Sequence, residues 1–204
     1  MHIPDGYLDP LTCAVTYLIS LAVGFYAFKK AKHAPEETKA LLPVLAAAIF
    51  VAQMLNWPIP GGTSLHLVGG ALASILVGPW LAYLAMALVL LTQALIFHDG
   101  GITTLGANIL NMGVVAVFTG YFVYRLAPEK YKVIASFLAG WLSITLAGIV
   151  CGVELGLSSS FLYGLGITVP VMGGWHAVLG VVEGAITAGV YAYLKARHPT
   201  LIKG

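Results

Sequence analysis

The chain has 204 residues, 59% of them hydrophobic and 9% charged, with a formal net charge of +2 and a mean hydropathy of +0.92. A soluble domain carries about 25% charged residues, so this balance excludes a soluble globular protein and fits one all-α bundle in a lipid bilayer. Cys13 and Cys151 lie inside apolar runs and form no CxxC pair, which reads as small buried side chains rather than a redox or metal pair.

The chain opens with MHIPDGYLDP. Pro4-Asp5-Gly6 spells a turn, and Ile3, preceding proline, is expected to be extended. Asp9-Pro10 reads as an N-cap followed by proline at the first helical position. Residues 1–9 are thus a tail of at most ~30 Å that can fold back into a bundle. The first apolar run lacks a basic n-region and an A-x-A site, so the tail is expected to survive, with Met1 retained before the bulky His2.

Apolar runs follow at 10–28, 40–56, 66–78, 80–97, 108–126, 133–155 and 174–195. They predict a polytopic bundle of about seven transmembrane helices. The third run is too short to cross alone. It follows WPIPGGTS and stops at Gly78-Pro79; short Gly/Pro-broken segments in transporters border binding sites. All ten Lys and Arg fall at the trailing ends of runs one, five and seven or in the segments that follow them. With seven crossings they share one side, which places the C-terminus in the cytoplasm and the N-terminus outside. The chain then reads as one unit: an extracellular tail over 1–9, a bundle over 10–195 and a cytoplasmic tail over 196–204.

Met1 and His2 carry a specific chemistry. The α-amine, the His2 backbone nitrogen and His2 Nδ1 can close five- and six-membered chelate rings on one metal ion. With the amide deprotonated, the three nitrogens lie in a plane, which favours Ni(II) or Cu(II). At ordinary pKa values of about 8 for the amine and about 6.5 for imidazole, binding near neutral pH would release more than one proton. One corner of the plane stays open for a second imidazole. The outer histidines are His2, His66, His98 and His176, and His66 in GGTSLHLVGG is the candidate for that corner. His98 in FHDGG and His176 in GGWH are candidates to brace or admit the ion. His33 and His198 fall in basic cytoplasmic segments and are expected to be solvated.

Polar residues inside apolar runs need partners, because unpaired ones are costly in lipid. They are Gln53, Asn56, Gln93, Asn108, Asn111 and Glu183. Gln93 and Asn108 lie nearest the outer ends and are candidates to brace the tail, as are Asp5, Thr63, Ser64 and Asp99. Glu183 follows His176 by seven residues, on the same helix face. Asp5, Asp99 and Glu154 make the outer side acidic, which attracts cations. Ala48 and Ala52 form a small-xxx-small surface for close helix contact.

MHIPDG, GGTSLHLVGG and DGGITTLGANILNMG together resemble the NikM/CbiM family, the substrate-binding membrane subunits of energy-coupling-factor (ECF) transporters for nickel and cobalt. The resemblance spans the whole chain. It implies a seven-helix substrate-binding component in a prokaryotic cytoplasmic membrane. It also implies an ion held by the Met1 amine, the His2 amide and imidazole, and His66. Its implied partners are a coupling transmembrane subunit, two ABC-type ATPase subunits and a small accessory membrane subunit. The chain carries no GxxxxGK[ST] and is not itself expected to hydrolyse ATP. Nickel(II) is the favoured cargo and cobalt(II), supplying cobalamin biosynthesis, the alternative; no organic cofactor and no nucleic acid is expected. An intramembrane metalloenzyme would want HExxH or paired helix histidines, which the sequence lacks. A stand-alone metal carrier or channel is the remaining class.

Overall fold

A computed structural model describes residues 1–204. Seven helices and one short hairpin make up the chain: α1 Pro10–Lys32, α2 Glu36–Met54, β1 Trp57–Pro58, β2 Ser64–Leu65, α3 Gly70–Val77, α4 Pro79–Phe97, α5 Leu105–Leu126, α6 Lys132–Leu157 and α7 Leu165–Arg197. All of the helices except α3 are long and apolar enough to cross a membrane. The protein is therefore a multi-pass, all-α membrane protein.

Local chemistry sets the boundaries. Asp9 caps α1 by accepting from the Thr12 N–H at 3.0 Å, and Pro10 follows in the first turn. Lys29, Lys30 and Lys32 sit in the last turn, where cations suit the carbonyl end of the dipole. Glu36 and Glu37 open α2, the complementary arrangement. The last turn of α4 widens to π geometry over Gln93–Phe97, and α5 does so over Leu110–Ala116. Such bulges occur often at functional sites; here one carries Gln93 and the other follows Asn108.

Two segments depart from the sequence reading. The third run was expected as a helix from 66, yet α3 begins at Gly70. The preceding residues form an extended strap, pinned at β1–β2 by Trp57 opposite Leu65 and Pro58 opposite Ser64. Gly69 takes φ +79°, a left-handed turn that glycine alone adopts freely. The eight residues of α3 rise only about 12 Å. Even so, the Ile75 and Leu76 carbonyls accept from the backbone N–H of Gly204 and Lys203 at 3.0 Å each. Strap and α3 in series therefore run from the Met1 end of the bundle to the end that holds residues 203–204. The last helix also starts earlier than the run at 174, at Leu165, with Pro170 inside its first turns.

α6 and α7 pack closely through glycines: a Cβ on Gly148 would lie 2.7 Å from the His176 side chain. α1 lies at the edge, with Leu11, Leu18, Leu21 and Phe25 exposed. Its inner face is clasped at one point. Ser20 Oγ donates to the Gly106 carbonyl at 2.7 Å, and the Tyr83 hydroxyl donates to the Ser20 carbonyl at 2.5 Å. A Cβ on Gly106 would come within 2.5 Å of the Tyr17 backbone nitrogen. Gly106→Val is therefore expected to push α1 away and cost about 1–3 kcal/mol, the usual range for overpacking. A melting curve in detergent equal to the parent's would show that α1 does not depend on this contact.

Candidate metal-binding site

The tail folds back as its turn residues require. Gly6 has φ +85°, and the chain then runs inward so that Met1, His2 and Ile3 are each no more than 3% exposed. The loop between α4 and α5 grips it. Ile3 N–H donates to Asn108 Oδ1 at 2.9 Å, while the Ile3 carbonyl accepts from Asn108 Nδ2 at 3.2 Å, Thr104 Oγ1 at 2.5 Å and Gly101 N–H at 2.9 Å. Asp5 Oδ1 accepts from Thr103 through both its backbone N–H at 2.7 Å and its hydroxyl at 2.5 Å. At the far end of the tail, Ser158 Oγ donates to the Tyr7 carbonyl and accepts from Asp9 N–H.

Inside this grip, tail and strap meet. The Met1 α-nitrogen donates to the Ser64 carbonyl and to Ser64 Oγ at 2.7 Å, and His2 N–H donates to the same hydroxyl at 3.1 Å. The His2 and His66 rings stack, centroids 4.3 Å apart and planes 12° from parallel. Hydrogen bonds fix both tautomers. Gln93 Oε1, an acceptor only, lies 3.1 Å from His2 Nε2, so Nε2 carries the proton and Nδ1 a lone pair. The Leu67 carbonyl lies 2.8 Å from His66 Nδ1, which leaves the lone pair on Nε2. His2 Nδ1 and His66 Nε2 are both buried without a hydrogen-bond partner. Asp99 Oδ1 sits 3.2 Å from His2 Nδ1. Unpaired buried polar atoms cost stability, and here two basic nitrogens bear that cost side by side. They are the donor types, and in the free-base form, that a late first-row ion takes.

Thr63 N–H lies 3.5 Å from Met172 Sδ on α7, and Thr63 lines one cleft with His2 and Asp5. His98 is exposed, with φ +55°. It lines, with Asp5, Asn56, Asp99 and His2, a cleft of about 420 Å³ that opens at this end of the bundle. His176 is wholly buried and stands behind the strap. Thr103, Thr104 and Met172 were not anticipated; the ITT that follows DGG was the available signal for the two threonines. Glu183, one of the polar residues expected either to brace the tail and the third-run loop or to bond between helices, accepts from the strap's Val68 and Gly69 N–H at 2.6 and 2.9 Å.

Residues 2–201 match the family described as the cobalt uptake substrate-specific transmembrane region, CbiM. The chain belongs to that family. It is 56% identical over its whole length to a putative fused nickel transport protein NikMN of Archaeoglobus fulgidus, spanning 68% of that relative. It is 35% identical over 99% of its length to the cobalt transport protein CbiM of Sorangium cellulosum, spanning 94% of it. The crystal structure of a truncated transition metal transporter superposes with a TM-score of 0.92 at 39% identity, covering 97% of this chain and 100% of that one. These relatives are metal transport proteins rather than enzymes.

Burial tunes the nitrogens of this CbiM-family site. It pulls the Met1 amine from about 8 down to about 5. It also lowers the His2 imidazole and takes that of His66 well below its ordinary range. The expectation of more than one displaced proton changes accordingly. With amine and imidazoles already neutral at pH 7, only the His2 amide still has one to lose. The sign for docking follows from linkage. A free tail binds a proton below about pH 8, and the docked tail only below about 5. Docking therefore strengthens as pH rises from 5 to 8 and is lost as pH falls. Amide exchange at Ile3 should quicken toward pH 5 beyond its intrinsic pH trend; equal protection throughout would contradict a buried neutral amine. Asn108→Ala removes both bonds to Ile3 and should weaken metal binding about 10–100-fold, the range for residues that orient ligands, as read by calorimetry.

Proposed function

We propose that this protein captures nickel(II) outside a prokaryotic cytoplasmic membrane as the substrate-specific subunit of an ATP-driven ECF transporter. The ion is held by the Met1 amine, the His2 backbone nitrogen, His2 Nδ1 and His66 Nε2. The observation that carries this reading is the pair of unpartnered ring nitrogens, His2 Nδ1 and His66 Nε2, packed beside a buried α-nitrogen. The ion takes the place of the His2 amide proton, which points at Ser64 Oγ, so that hydroxyl must swing aside as the ion enters. Gln93 fixes the His2 tautomer, Asp5 and Asn108 hold the tail, and Asp99, with His98 in the open cleft, attracts the cation. Thr63 seats the strap.

In this reading the 204 residues form one substrate-binding unit. Residues 1–9 are its outer metal-binding tail, and 196–204 lie in the cytoplasm, a placement the distribution of Lys and Arg supports. Energy comes from other chains, since these residues contain no GxxxxGK[ST]: two ABC-type ATPase subunits and a coupling membrane subunit, with a small accessory membrane subunit. Cobalt(II) is the second reading, supported by the CbiM relative. The planar nitrogen set and the Irving–Williams order favour nickel, and the more similar relative is named for nickel.

The test is made at the terminus and at the strap. Acetylating the Met1 amine turns it into an amide, and His66→Ala removes the fourth donor. Each should lower nickel affinity by more than about 100-fold, beyond the effect of outer residues, while the bundle stays folded. The parent should give the yellow, diamagnetic spectrum of planar Ni(II). Parent-like affinity in the acetylated protein would remove the Met1 amine from the ligand set, and nickel uptake by the isolated chain in vesicles would overturn the ATP-driven assembly.

A further inference from the structure

The turn after α4 sets one carboxylate against the His2 ring. Gln93 holds both partners. Its backbone carbonyl accepts from Asp99 N–H at 3.0 Å, and its side-chain Oε1 faces His2 Nε2. Gly100 follows at φ +88°, where a Cβ would lie 2.9 Å from Asn108 Nδ2 and 3.5 Å from His2 Cβ; a glycine lets the loop lie against the tail. Asp99 Oδ2 accepts from Asn56 Nδ2 at 2.7 Å, and Oδ1 is left 3.2 Å from His2 Nδ1.

The spacing and the exposure of this pair suit a shared ion. A nitrogen and a carboxylate oxygen bound at right angles to one ion, each at about 2.0–2.2 Å, stand about 3 Å apart. His2 Nδ1 is buried without a hydrogen-bond partner. The Asp99 side chain is 20% exposed against 2% for that of His2, and both residues line the cleft that opens at this end of the bundle. An ion coming down the cleft therefore meets Oδ1 before Nδ1. The terminal nitrogens are still engaged at that moment, because the Met1 α-nitrogen and His2 N–H both donate to Ser64.

Resting on the binding site proposed above, we propose that Asp99 Oδ1 is a landing ligand: the first protein atom to bond the arriving nickel(II), which it shares with His2 Nδ1 before the terminal nitrogens join. A hydrated ion gives up its waters singly. One leaves for Oδ1 and another for Nδ1. Ser64 then swings aside, and the Met1 amine, the His2 backbone nitrogen and His66 Nε2 complete the plane. A planar four-nitrogen ion keeps no bond to a fifth donor, so the carboxylate lets go. Asp99 thus speeds entry and exit alike and leaves the final affinity nearly unchanged. Its role goes beyond attraction through space, which salt screens.

The experiment measures rates on the purified subunit, with nickel(II) as probe. Association is followed by stopped flow and release by capture with a chelator, for the parent, Asp99→Asn and Asp99→Ala. Both variants should associate at least about tenfold more slowly than the parent. The deficit should persist in about 1 M salt, where the screening length is about 3 Å. Release should slow in proportion, so that affinity stays within about threefold. Association at the parent's rate, or a deficit that vanishes in high salt, would overturn the landing role. So would faster release with unchanged association, because Asp99 would then be a resident ligand or counter-charge. Lowered melting temperatures in both variants would also overturn it, since the carboxylate would then serve chiefly to hold Asn56. A parent subunit that binds no nickel would instead defeat the binding site itself.

Discussion

Backbone that leaves helical geometry inside a membrane bundle must find its hydrogen-bond partners in the protein. The strap before α3 is such backbone, and the site depends on how that demand is met. Val68 is held on both sides, its N–H by Glu183 of α7 and its carbonyl by Gln53 Nε2 of α2 at 2.9 Å. Gly69 N–H goes to the other Glu183 oxygen. Two polar side chains from well-packed helices thus fix the segment that carries His66, and the tail docks on its free edge through Ser64.

The same economy of partners sets the reactivity of the site. Each histidine sets one nitrogen against a carbonyl oxygen, which favours a lone pair on the other. Burial then removes the proton that the α-amine would otherwise carry. The arrangement is strained with respect to hydrogen bonding and unstrained with respect to packing: Met1 and Ile3 fill the core fully while nitrogens beside them go unmatched.

Much of this was legible in the sequence. The cap at Asp9, the turn at Gly6 and most of the spanning runs follow from local preferences, and the resemblance named the family. The strap was not legible, because a run such as LHLVGGALASILVG is apolar throughout and periodicity cannot tell extended from helical chain there. Pro170 and its neighbouring glycines hid the first turns of α7 for the opposite reason: tertiary packing on α6 overrides weak propensity. Asn108 and Gln93 were visible as polar residues that needed partners. That Glu183 would serve the strap, or that Thr103 and Thr104 would hold the tail, depends on contacts about a hundred residues apart in sequence, which no local pattern records.

The meeting of Met1 with Ser64, sixty-three positions apart, has a mechanical consequence. An ion shared by the tail and the strap would act as a removable staple, closing a loop of roughly sixty residues that includes α1 and α2. By the loop-entropy scale used for disulfides, such closure is worth about 4 kcal/mol. A loaded subunit would then differ from an empty one less in shape than in stiffness, and a docking partner could sense cargo by how far the α1–α2 pair yields.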